Sequence, residues 1–81
     1  MTWNYRVMRH EGQGPDTQGE CWFSIHEVYY KSDDVNELAV STADVGYTTE
    51  PVAPMGESVD ELRVTLQRML AALDKPVLDY R

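Results

Sequence analysis

A single cysteine, Cys21, stands in the 81 residues, so the chain can close no internal disulfide. That fits a reducing compartment, and it removes the staple on which many small domains depend. A chain of this length buries only about 60% of its unfolded surface, so its core is thin and association is a natural supplement. No apolar run approaches the ~20 residues of a membrane span. The opening Met1-Thr2-Trp3-Asn4-Tyr5-Arg6 has no apolar segment of the kind a signal peptide needs. These absences lead to the expectation of one soluble cytoplasmic domain over residues 1–81, with no membrane partner.

Basic residues are missing from a long middle stretch. Between Ser32 and Leu62 there are eight acids (Asp33, Asp34, Glu37, Asp44, Glu50, Glu57, Asp60 and Glu61) and no Lys or Arg, within a net charge of −7. Binding to nucleic-acid phosphates rests on Lys and Arg displacing counterions, so direct nucleic-acid binding is not expected. The acidic stretch either faces a basic partner or only solvates loops and a helix start.

What the chain does contain is alternation. In Trp3–His10, Trp3, Tyr5 and Val7 point one way, and Asn4, Arg6, Met8 and His10 the other, the period of a half-buried strand. Residues 11–19 hold three glycines and Pro15 and read as a loop. Glu20–Tyr30 is the richest run in aromatic and β-branched residues and reads as a central strand. Cys21, Phe23, Ile25, Glu27 and Tyr29 share one face, and Trp22, Ser24, His26, Val28 and Tyr30 share the other. The first face is the more apolar in its middle and is taken as core; a shift of one residue inverts the assignment. Ser32-Asp33-Asp34 and Asn36 are turn formers. Residues 38–48 read as a third strand, weakened by Gly46.

Pro51, Pro54 and Gly56 make a connector. Ser58-Val59-Asp60-Glu61 is then a capping box, with the serine taking the third helical amide and the glutamate reaching back to the cap amide. Val59, Leu62, Leu66, Met69, Leu70 and Leu73 recur at helical spacing, and Pro76 ends the run. The expected fold is α+β: a three-stranded antiparallel β-meander with one C-terminal helix packed on one face, β-β-β-α, and a short docking tail at Val77–Arg81.

One helix covers one face of such a sheet. On this assignment the uncovered face carries Arg6, Met8, His10, Trp22, His26, Val28 and Tyr30, a set whose Trp, Tyr, Met and Arg match the composition of interface hot spots. Catalytic and metal chemistry is poorly supplied. His26 and Cys21 fall on opposite faces of one strand, and although His10 and His26 can meet across two strands, His10, His26 and Glu27 make an incomplete ligand set. Cys21 lacks a neighbouring base and packs as a small hydrophobe. No catalytic residue, cofactor or metal is expected.

The Trp3-Asn4-Tyr5-Arg6-Val7 start, the His26-Glu27-Val28-Tyr29-Tyr30 block and the Lys75-Pro76-Val77-Leu78-Asp79 tail resemble a family of small bacterial proteins to which no activity is assigned. That resemblance implies no catalytic residue. More loosely, the element order is similar to the HicB antitoxin fold, although the Pro-Gly-Cys segment typical of that family is absent. The expectation is a non-enzymatic interaction module that binds a protein partner or itself, as a homodimer, through the uncovered sheet face. An acidic, antitoxin-like or anti-defence inhibitor of a nucleic-acid-binding protein is the alternative. A small metal protein or enzyme using His10, His26 and Glu27 is the third reading.

Overall fold

A computed structural model describes residues 2–12, 14, 19–31 and 36–80. Two long strands, β1 (Thr2–Glu11) and β2 (Cys21–Tyr30), pair antiparallel over their whole length, from Thr2 opposite Tyr30 to Glu11 opposite Cys21. Gly12 turns the chain out of β1 at φ 86°, a left-handed conformation that glycine adopts without steric cost, and its amide donates to the Glu20 carbonyl at 2.7 Å. Asp33, Asp34 and Pro15, assigned above to turns and loops, lie outside the described residues.

Among the described residues the sheet has four strands and is mixed, in the order β3-β2-β1-β4, which corrects the all-antiparallel three-stranded expectation. β3 is only Gly46–Tyr47, antiparallel to β2. The expected strand over 38–48 fails because Ser41–Asp44 is itself a small capping box. The Asp44 carboxylate accepts from the Ser41 amide and hydroxyl, and Thr42–Asp44 curls into a 3-10 turn. β4 (Leu78–Asp79) runs parallel to β1 at its free edge, and the Tyr80 amide continues the ladder to the Arg9 carbonyl at 2.9 Å. The docking tail is thus a fourth strand.

The helix α1 (Val59–Ala72) forms where the sequence places it. Ser58 Oγ accepts from the Glu61 amide at 3.1 Å, while the Glu61 carboxylate takes the amide of Glu57, one residue before the cap, at 2.8 Å. Gly56 allows the connector to lie against this first turn: a Cβ there would stand 2.5 Å from the Leu62 amide nitrogen.

The strand alternation is as expected, but the principal core lies on the opposite face from the one assigned above. Met8, Val28 and Tyr30 are buried with Val45 and Leu78, and Val40, Tyr47 and Tyr80 pack around them. The covering residues come from the 40–47 segment and from β4 with its following tyrosine, and none comes from the helix. α1 lies against β1 on the other side, where Trp3 and Tyr5 meet Arg68 and Ala71 across a groove; Val7, Met69 and Ala72 are buried outside the main cluster.

Candidate interaction surface

Arg6, Met8, His10, Trp22, His26, Val28 and Tyr30 do share one face, as expected. The face is not uncovered: six of the seven are buried and Trp22 is half-buried. The correction has a physical cause. The polar members are enclosed because each finds hydrogen-bond partners far away in sequence, which makes their burial tolerable.

Arg6 has no exposed surface. It donates to the Tyr30 hydroxyl at 2.9 Å, to the Glu37 carbonyl at 2.6 Å and to the Pro76 carbonyl at 2.8 Å. Tyr30 donates onward to Asn4 Oδ1 at 2.6 Å, and Asn4 donates to the Glu37 carboxylate at 3.0 Å, which also faces Lys75 at 3.4 Å. The guanidinium therefore ties β1 and β2 to the turn at 36–39 and to the junction between α1 and β4.

At the other end of the face His10 and His26 meet. Their Nε2 atoms are 2.9 Å apart, and Ser24 Oγ stands 2.9 Å from the first and 3.0 Å from the second. His26 Nδ1 lies 2.9 Å from the Thr48 carbonyl, so that nitrogen carries a proton and Nε2 is an acceptor in the neutral ring. His10 is stacked between Trp22 and Tyr80, at centroid distances of 4.0 and 4.3 Å. Burial lowers both imidazole pKa values. The His26 charge lowers His10 further, while the Thr48 hydrogen bond and Glu50 partly offset the effect at His26.

Glu27, named with the histidines as a metal ligand, instead lies on the opposite face of β2 and accepts from Tyr29 Oη at 3.0 Å. Among the described residues no group of three His, Cys, Asp or Glu side chains converges. Ser24 and His26 form a hydroxyl–imidazole pair, and the fully buried His26 ring lies against Tyr80 at a centroid distance of 5.5 Å.

The open apolar surface lies elsewhere, on α1. The side turned to the sheet is Leu62, Thr65, Met69 and Ala72, at spacings of three and four. Moving each position forward by one residue, a rotation of about 100°, gives Arg63, Leu66, Leu70 and Leu73, with Val59 one turn before. This second line faces outward: Val59 is 71% exposed, Leu66 47%, Leu70 66% and Leu73 63%. Phe23, on the sheet face that α1 shares, is also exposed.

The leucines read above as a single core stripe are thus divided between two sides of the helix. The visible sequence signal is Thr65 and Ala72, a polar and a small residue, occupying the inward line while three leucines flank it. A groove of about 350 Å³ beside the helix is lined by Trp3, Asn4, Tyr5, Arg68, Ala71 and Lys75, with the Trp3 and Tyr5 rings edge to face at 5.2 Å.

Comparison of the chain with protein-family models, with curated proteins and with solved structures finds no match. No helix among the described residues is long and apolar enough to cross a membrane.

Proposed function

We propose that the chain is a non-enzymatic protein-interaction module whose working surface is the outward line of α1. The observation that carries this reading is the exposure of Val59, Leu66, Leu70 and Leu73 along one line of a helix that buries only Met69 and Ala72. Isolated exposed leucines are ordinary on a protein surface, but a contiguous row at helical spacing is the pattern of a helix awaiting a partner. The partner chemistry is apolar in the centre, with charge at the flanks from Arg63, Asp60 and Asp74.

Native mass spectrometry on tagged protein drawn gently from its host, beside Leu70→Glu, tests the reading. The wild type carries a companion mass, a second copy or a foreign chain, and the variant loses it while keeping its circular dichroism. A wild type that arrives alone, or a variant that keeps its companion, overturns the proposal.

A second reading, an acidic inhibitor of a nucleic-acid-binding protein, draws support from the outward position of Asp44, Glu50, Glu57, Asp60 and Glu61. Its complex would weaken strongly between low and high salt, because exposed ion pairs are screened within a Debye length of ~8 Å at physiological ionic strength. A companion held equally at both salts removes it.

A further inference from the structure

The outward line of α1 has a property that narrows the choice of partner: it is complementary to itself in one direction only. We infer that the occupant is a second copy of this chain, docked with the two α1 helices antiparallel across a two-fold axis near residue 68. This rests on the proposed interaction role of α1 and names its partner.

The apolar positions of α1 and its C-cap are 59, 66, 70 and 73, and with Arg63 they complete a four-three-four-three spacing, the seam along which two helices pack knobs into holes. In an antiparallel pair centred at residue 68, Leu66 of one helix packs on Leu70 of the other and Leu70 on Leu66. The aliphatic stem of Arg63 lies against Leu73, again reciprocally. A two-fold interface must be self-complementary in this way, with residue i against j and j against i. The described helix, with 14 residues, offers a seam about 21 Å long.

Charge sets the direction. On the solvent flank of the seam stand Arg63, near the helix start, and Asp74, in the turn that ends it. Parallel packing would set Arg63 beside Arg63 and Asp74 beside Asp74. Antiparallel packing sets Arg63 of each copy beside Asp74 of the other, twice by symmetry. Arg63 already holds Asp60 at 2.7 Å, 61% exposed, and the planar guanidinium has donors left for a second carboxylate. Reversing the direction exchanges two attractive pairs for two repulsive ones, which is how flanking charges select orientation in helix pairs. The opposite side of the helix, with Glu61 and Arg68, does not enter the contact.

Sedimentation velocity on the purified chain over a concentration series tests the pairing. The wild type sediments as a dimer, and Leu70→Glu lowers the association constant by roughly thirtyfold or more, the scale of an interface hot spot. Arg63→Asp and Asp74→Arg each weaken the dimer by about tenfold, and the double variant, which restores opposite charges only in the antiparallel pair, recovers most of the loss. Unchanged circular dichroism and melting temperature for Leu70→Glu establish that the fold survives. A wild type that is monomeric at every concentration overturns the inference, as does a dimer indifferent to Leu70→Glu. A double variant no better than either single one overturns the antiparallel arrangement. If the purified chain is monomeric while a foreign protein from the host binds through Leu70, self-pairing falls and the interaction reading stands. If the chain is monomeric and nothing binds, both fall.

Discussion

The two faces of the sheet solve opposite problems. The Arg6–Met8–His10 face is chemically mixed, with a guanidinium and two imidazoles among its residues, yet the chain's own 40–47 segment and β4 close it. On the other side, the outward line of α1 is chemically simple, Val59, Leu66, Leu70 and Leu73, yet it is left open. The difference teaches that apolarity alone does not decide which surface of a small domain is core. An 81-residue chain has few segments to spend as cover. It spends them where polar groups need fixed partners, and the apolar row of α1 is left exposed.

The sharpest way to break this comparison is to remove the group that holds the closed face together. Arg6→Ala deletes three charge-assisted hydrogen bonds, to Tyr30, Glu37 and Pro76, and leaves a cavity in their place. Hydrogen bonds to charged groups contribute about 1.5–3 kcal/mol each, though not additively, so the expected loss is ~3–5 kcal/mol. Native stability for a domain of this size is on the order of 4–12 kcal/mol. Arg6→Ala should therefore be largely unfolded or melt far below the wild type. A melting temperature within a few degrees of the wild type would show that the network is ornamental.

A matched pair of apolar truncations sharpens the contrast. Met8 has no exposed surface and Leu70 is mostly exposed. Met8→Ala should cost ~3 kcal/mol in denaturant unfolding, since a buried methionine truncated to alanine loses its transfer term and leaves a cavity. Leu70→Ala should change monomer stability by no more than about 0.5 kcal/mol. Equal losses would mean that the outward line of α1 is packed after all. The measurement must be made on the dissociated chain, because association itself stabilises the folded state by mass action.

The order of these effects also explains what was readable in the sequence. Both long strands, their alternation, the cap at Ser58 and the helix are local patterns, and each stands where the sequence places it. The identity of the core face is not local. Arg6 is buried because Glu37 and Pro76, 31 and 70 residues away, supply carbonyls, and His26 because Thr48, 22 residues away, does the same. No periodicity carries that information, so Arg6, His10 and His26 made their face look like the wet one. The short third strand was more nearly legible: Ser41-Thr42-Ala43-Asp44 has the spacing of a helical cap, and that spacing competes with the strand preference of Val40 and Val45. The outward line of α1 was half visible. Helical spacing groups all its leucines in one stripe, whereas the helix turns Thr65 and Ala72 to the sheet.

The smallest expected effect is a slope with pH, and its sign is diagnostic. Burial lowers the pKa of His10 and of His26 below the ordinary value of 6.5, so the folded chain keeps both rings neutral at a pH where the unfolded chain protonates them. The unfolded state then binds more protons, and stability falls as pH drops below about 6.5. General electrostatics pulls the other way. A chain of net charge −7 repels itself, and acidification toward pH 5 begins to relieve that repulsion. A urea midpoint that decreases from pH 7.5 to pH 5 therefore reports the buried imidazoles against the trend of the whole molecule. His26→Asn keeps an amide donor at the δ position for the Thr48 carbonyl while removing one titrating group, so its midpoint should fall less steeply over the same interval. A wild-type midpoint that rises on acidification, or a variant with an unchanged slope, would mean that the histidine pair is not held neutral and that the closed face opens more readily than its hydrogen bonds imply.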